Sequence, residues 1–169
     1  SKQWEKWLGG WKNEVGRDVE QTSDGGFIAV GFRNPVLENE TEEVYVYRTS
    51  PSGEHMWNRT FSGNGIYCRS IHQTSDGGFI LAGKRQAENG RDDFYLMKIS
   101  STGDLEWEKT YGGTSDEEGQ SMQITEDGGF IIAGNVKANL QSDVLLVKTD
   151  NLGNMQWNRT YGRSGSDSA

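Results

Sequence analysis

The sequence predicts an all-β chain built from one four-stranded antiparallel unit used three times over. Three observations predict it. The 169 residues repeat themselves with a period of about 50. Each period contains short apolar runs bounded by Asp-Gly or x-x-Gly turns. The 23 glycines, set against only two prolines, imply many tight turns rather than disorder.

Two interleaved signatures carry the repeat. The first reads Gln21-Thr22-Ser23-Asp24-Gly25-Gly26-Phe27-Ile28, then Gln73-Thr74-Ser75-Asp76-Gly77-Gly78-Phe79-Ile80, then Ile124-Thr125-Glu126-Asp127-Gly128-Gly129-Phe130-Ile131. The second reads Trp57-Asn58-Arg59-Thr60-Phe61, Trp107-Glu108-Lys109-Thr110-Tyr111 and Trp157-Asn158-Arg159-Thr160-Tyr161. A degenerate copy, Trp4-Glu5-Lys6-Trp7-Leu8-Gly9-Gly10, opens the chain.

The elements follow in order within the third period. Gln120 to Thr125 alternates loosely and reads as a first strand. Asp127-Gly128 then closes a hairpin, because glycine accepts a positive φ. The matching hairpin residues are Asp24, Gly25 and Gly26, and Asp76, Gly77 and Gly78. The last glycine of each set, Gly129 in the third, suits a bulge at the turn exit. Phe130 to Gly134 is the second strand and Val144 to Lys148 the third. Asp150-Asn151-Leu152-Gly153 is a turn, and Met155 to Tyr161 is the fourth strand. Complete units then span roughly 11–61, 62–111 and 112–162. Residues 3–9 form a spare outer strand, and 163–169 a truncated start of another repeat.

The second and third strands are apolar on both faces, which asks for cover on both sides. Copies of one small antiparallel sheet stacked face to face meet that demand. The fold class is therefore all-β, with β-propeller-type blades of four antiparallel strands, three of them complete, and an extra N-terminal outer strand. Period-2 strands and glycine turns exclude a helical solenoid, and a β-sandwich would not repeat its sequence at fixed spacing.

The combined pattern resembles the blade repeats of large secreted or cell-surface β-propeller proteins of bacteria and archaea. It covers nearly the whole chain. The turn Ser101-Thr102-Gly103-Asp104-Leu105-Glu106-Trp107 also looks like the tryptophan-docking turn of quinoprotein-type propellers. The resemblance implies an extracellular or cell-surface location and a binding or scaffold role. It implies that Trp4, Trp57, Trp107 and Trp157 pack between blades rather than bind a ligand.

Composition narrows the function. With 25 acids against 17 bases the net charge is −8, which disfavours binding to nucleic-acid phosphates. No apolar run approaches the ~20 residues of a membrane span. Cys68 is alone, and no Cys/His cluster suggests zinc. The chain starts at Ser1, as a processed product or a fragment would.

Catalytic chemistry finds no constellation. The two histidines, His55 in a turn and His72 on a first strand, have non-imidazole counterparts in the other repeats. Asp92-Asp93, Glu42-Glu43 and Asp116-Glu117-Glu118 offer calcium-type oxygens but lack an EF-hand pattern and read as solvated loop acids. No cofactor and no metal are expected. Glu43, Asp93 and Asp143 before each third strand, and Arg48, Lys98 and Lys148 near its end, read as architectural. Arg59, Lys109 and Arg159 read as wet side chains on the outer rim. Asn39, Asn58 and Asn158 stand in Asn-x-Thr sequons and are candidate glycan acceptors.

Antiparallel strands put their connections at two ends. The Asp-Gly-Gly and x-x-Gly turns share one end and are uniform, which reads as scaffold. The loops at the other end vary between copies, which reads as a face for partners. Its candidates are Asn34 and Glu38, then Asn89, Arg91 and Asp92, then Asn139 and Gln141. Propellers have about four to eight blades, and three do not close. The expected function is a non-catalytic, self-assembling structural or surface scaffold. Its partners are copies of itself or the remaining blades of a larger propeller. The alternatives are a lectin-like or protein-binding adhesion module that meets glycans or surface proteins, and a quinoprotein or hydrolase fragment.

Overall fold

A computed structural model describes residue 5 and residues 13–33, 43–138 and 141–162. Among the described residues, twelve strands form three four-stranded antiparallel sheets and there is no helix. Sheet one holds β1 (Glu14–Gln21), β2 (Phe27–Arg33), β3 (Glu43–Thr49) and β4 (His55–Phe61). Sheet two holds β5 (Tyr67–Gln73), β6 (Phe79–Gln86), β7 (Asp92–Ile99) and β8 (Leu105–Tyr111). Sheet three holds β9 (Asp116–Ile124), β10 (Phe130–Ala138), β11 (Gln141–Thr149) and β12 (Met155–Tyr161). Each is a meander in chain order. Among the described residues no helix is long and apolar enough to cross a membrane.

Trp4, the 3–9 strand apart from Glu5, Asn34, Glu38, Asn39, Asn139 and residues 163–169 lie outside the described residues.

Strand alternation gives each central strand two apolar faces, and the sheets use them in sequence. Ile28, Val30, Val44 and Val46 of sheet one meet Phe79, Leu81, Tyr95 and Met97 of sheet two. The opposite residues of sheet two, Ile80, Ala82, Phe94 and Leu96, meet Phe130, Ile132, Leu145 and Val147 of sheet three. Sheet two is thus dry on both sides, and the described residues form two cores rather than one. Burying one such side chain contributes about 1.5–3 kcal/mol.

The first strands of neighbouring sheets approach one another, and polar bonds cross between them. Ile71 donates its N–H to Asp18 at 3.0 Å, and Gln73 donates its N–H to Glu20 at 3.2 Å. His72 touches both neighbours, with Nδ1 2.5 Å from Glu20 and Nε2 2.9 Å from the Met122 carbonyl.

The expected bulge sits at the hairpin exit: the Gly25 N–H bonds the Thr22 carbonyl at 2.8 Å and the Thr22 N–H bonds the Gly26 carbonyl at 2.9 Å, with Gly25 at a positive φ, and Gly77 and Gly128 repeat the pattern. The register also slips inside the first strands, between Gly16 and Asp18 and between Cys68 and Ser70, and at Ala133/Gly134 opposite β9. The exit glycine serves close approach: a Cβ on Gly78 would fall 2.4 Å from the Lys98 Nζ. A sequence expectation is corrected: the acids Asp116, Glu117 and Glu118 are not in a loop, nor are Asp92 and Asp93. They open strands β9 and β7, and Glu117 is buried. Their polarity hid strand ends whose backbone pairing continues with β10 and β6.

Candidate functional site

The hairpin motif and the third strand form one clamp, repeated in every sheet. Asp24 accepts bonds from the Thr22 hydroxyl at 2.6 Å and the Gly26 N–H at 3.1 Å. Arg48, at the end of β3, reaches across β2 and grips both Asp24 oxygens at 2.7 and 2.6 Å. Lys98 meets Asp76 at 3.0 Å, and Lys148 meets Asp127 at 2.9 Å. All three basic side chains are buried, while their partners face water. A buried cation is tolerated where it is paired and its remaining protons find carbonyls. The Thr49, Ile99 and Thr149 carbonyls serve that end. No local pattern announces these pairs, because the partners are more than 20 residues apart. Their recurrence in all three repeats is the signal that could have found them.

The clamp lowers the carboxyl pKa values. The Thr22 hydroxyl, then the Gly26 N–H and Arg48, bring Asp24 to about 2. The Thr74 hydroxyl, then the Gly78 N–H and Lys98, do the same for Asp76. Thr125, Lys148 and Gly129 hold Asp127 well below the usual carboxylate range. A depressed native pKa lends stability that is complete above the unfolded value, near pH 4, and is lost as pH falls through the native one. Urea midpoints should therefore be level from neutral pH to about pH 5 and drop steadily toward pH 2. A midpoint that stays level to pH 2 would contradict the clamp.

Trp57 and Trp107 stand between sheets. Trp57 packs edge-on against Phe79 with centroids 6.0 Å apart, and Trp107 lies 6.2 Å from Phe130. A turn glycine of the next sheet covers each ring. A Cβ on Gly103 would lie 3.0 Å from Trp57, and one on Gly153 2.8 Å from Trp107. Both glycines also hold a positive φ, so close approach and backbone both exclude a side chain there. Tyr111 donates its hydroxyl to the Gly153 carbonyl at 2.6 Å.

Arg59 and Lys109 are not simply wet. Arg59 donates to the Thr102 carbonyl at 2.8 Å and lies over the Trp57 ring, and Lys109 donates to Asn154 at 2.6 Å. Each ties a fourth strand to the following turn, because the turn that covers the tryptophan also brings acceptors within reach.

Among the described residues nothing covers the same face of sheet three. Register places Trp157, Arg159 and Tyr161 beside Lys148, Leu146 and Val144. Trp157 is 41% exposed, Tyr161 51% and Val144 48%, whereas the equivalent Tyr111 and Phe94 are 9% and 0%. This apolar face at the end of β11 and β12 is the most conspicuous surface of the described residues.

The variable-loop candidates Asn89, Arg91 and Asp92 are occupied from within. Residues 87–91 form a tight turn closed by the Ala87 N–H to the Arg91 carbonyl at 2.7 Å. Asn89 donates to the Gly113 carbonyl at 3.5 Å, Arg91 meets Asp116 at 3.1 Å and Asp92 meets Lys84 at 2.7 Å. The first two contacts tie the turn to the link and strand that open sheet three, and the third stays within sheet two. Gln141 begins β11.

Asn58 and Asn158 are exposed on fourth strands, and their amides donate to His55 at 3.1 Å and to the Met155 sulfur at 3.4 Å. Ser70 Oγ lies 3.5 Å from His72 Nε2, but that nitrogen donates to Met122 and cannot accept a proton from the hydroxyl. Cys68 is buried, and its thiol is pushed well above the ordinary range by burial. Among the described residues no group of three or more His, Cys, Asp or Glu is placed to hold a metal. No protein family matches the chain, and no curated protein matches it.

Proposed function

We propose that the chain is a non-catalytic, extracellular propeller-repeat protein that builds a self-assembling structural scaffold. Its three sheets are read as propeller-type blades, a reading supported by four-stranded meanders whose first strands converge. One observation carries the assembly. The face that bears the tryptophan is buried twice by a following sheet and left open once. The partner that fits it is a further sheet of this repeat, carried by a second copy of the chain. A turn glycine of that copy would cover Trp157, as Gly103 covers Trp57 and Gly153 covers Trp107. Its carbonyl would accept from the Tyr161 hydroxyl, as that of Gly153 accepts from Tyr111. An open apolar face of this kind drives association. The extracellular location rests on the blade resemblance.

Light scattering across a concentration series tests the proposal. Species larger than the monomer should grow with concentration. Trp157→Lys should leave a monomer whose circular dichroism matches the parent. A parent chain that stays monomeric at every concentration sinks the assembly reading.

A further inference from the structure

The two interfaces between sheets are built from equivalent positions, but they are not filled alike. Between sheets one and two, Tyr95 donates its hydroxyl to Glu108 at 2.6 Å, and Glu108 pairs with Arg85. Repeat register puts Leu145 where Tyr95 stands, because both oppose the mid-strand glycine, Gly134 or Gly83. It puts Asn158 where Glu108 stands and Val147 where Met97 stands. Val136, six residues after Phe130, takes the place of Arg85, six residues after Phe79. Four side chains have shrunk together at one spot. What remains is a cavity of about 370 Å³ between the end of β8 and the inner face of sheet three. That size lies within the range of small-molecule sites.

One residue changed in the opposite direction. Glu14 of sheet one opposes Arg33 and pairs with it at 3.4 Å. The matching position in sheet two is the buried, apolar Ile66. In sheet three it is Glu117, which opposes Val136 and so has no arginine across the ladder. Glu117 is only 5% exposed and lines the cavity. One carboxyl oxygen accepts from the Gly113 N–H, while Oε2 has no partner. Nearby Asp93 also holds a buried oxygen, Oδ1, without a partner. Burial, then Asp93 and Asp116, push the Glu117 carboxyl up, with Arg91 opposing them. A buried carboxylate oxygen with no donor is costly unless something supplies one.

We propose that this cavity is a binding site for a small organic cation. An ammonium group donates to Glu117 Oε2, and a short apolar body rests on Val136, Leu145 and Val147. The apolar walls, and the single carboxylate among the residues that line the cavity, speak against calcium, which takes six to eight oxygens.

Titration of the full chain with butylammonium chloride, followed through the methyl resonances, tests the site. Saturable shifts are expected at Val136, Leu145, Val147 and Met155. 1-Butanol, butyrate and calcium chloride should produce none of comparable affinity. Glu117→Gln should weaken butylammonium roughly tenfold to a hundredfold, the worth of a hydrogen bond to a charged group. Val136→Arg restores the pairing of sheet one, so it should abolish binding and raise the thermal midpoint. Binding of 1-butanol as tight as that of butylammonium overturns the proposal, as do full affinity in Val136→Arg and calcium displacing the amine.

Discussion

Trp107→Ala is expected to cost about 3–5 kcal/mol of folding stability, while Trp157→Ala costs less than about 1 kcal/mol. The two residues share a motif and a place in their sheets, so sequence gives no reason for the difference. Packing gives it. Trp107 lies against Phe130 and under Gly153, and packs, partly buried, against the second core. Truncation leaves a cavity that the rigid turn at Gly153 cannot collapse into. Trp157 is 41% exposed and loses only a partly solvated surface. Urea unfolding of both variants, at dilution low enough to prevent association, measures the contrast. Equal losses would mean that the third tryptophan is buried within the single chain, and the open face would disappear with it.

Asp24→Ala is expected to cost about 2–3 kcal/mol. The substitution leaves the Thr22 hydroxyl and the Gly26 N–H without their acceptor, and it strands Arg48, whose side chain is 5% exposed. Most of the loss comes from that stranded charge and not from the carboxylate, which is 55% exposed. The double variant Asp24→Ala/Arg48→Met should therefore recover part of the loss, since a buried pair replaced by an apolar group is often near neutral. Asp76→Ala should cost less, because Lys98 keeps Glu106 at 3.1 Å. A double variant no more stable than Asp24→Ala would assign the loss to the turn alone.

Features that depend on near neighbours were legible in the sequence. The fourth strand Met155–Tyr161 has the bounds its apolar pattern suggests, and each Asp-Gly-Gly segment joins two paired strands. Features that depend on residues brought from elsewhere were not. The clamp from Arg48 to Asp24 spans 24 residues. Arg59 was read as wet because the Thr102 carbonyl that binds it belongs to the next repeat. Glu117 was read as a solvated acid because Asp116-Glu117-Glu118 looks like a loop, yet backbone pairing with Val136 carries it indoors. The sequence hides the cavity for a related reason. Leu145, Val147 and Val136 are each ordinary in an apolar strand, and only their convergence opposite β8 leaves space.

The division of the interior into two cores also shapes how the molecule comes apart. Among the described residues no buried side chain belongs to both, so sheets one and three influence each other chiefly through sheet two. Either end sheet can open alone at the expense of one core. Opening sheet two abolishes both, so among the described residues its amides should be the last to exchange with solvent and its opening should be close to global unfolding. Cooperativity in this chain is then a nearest-neighbour affair, strongest in the middle and weakest at the ends. Each sheet added to an exposed end would turn that end into a new middle.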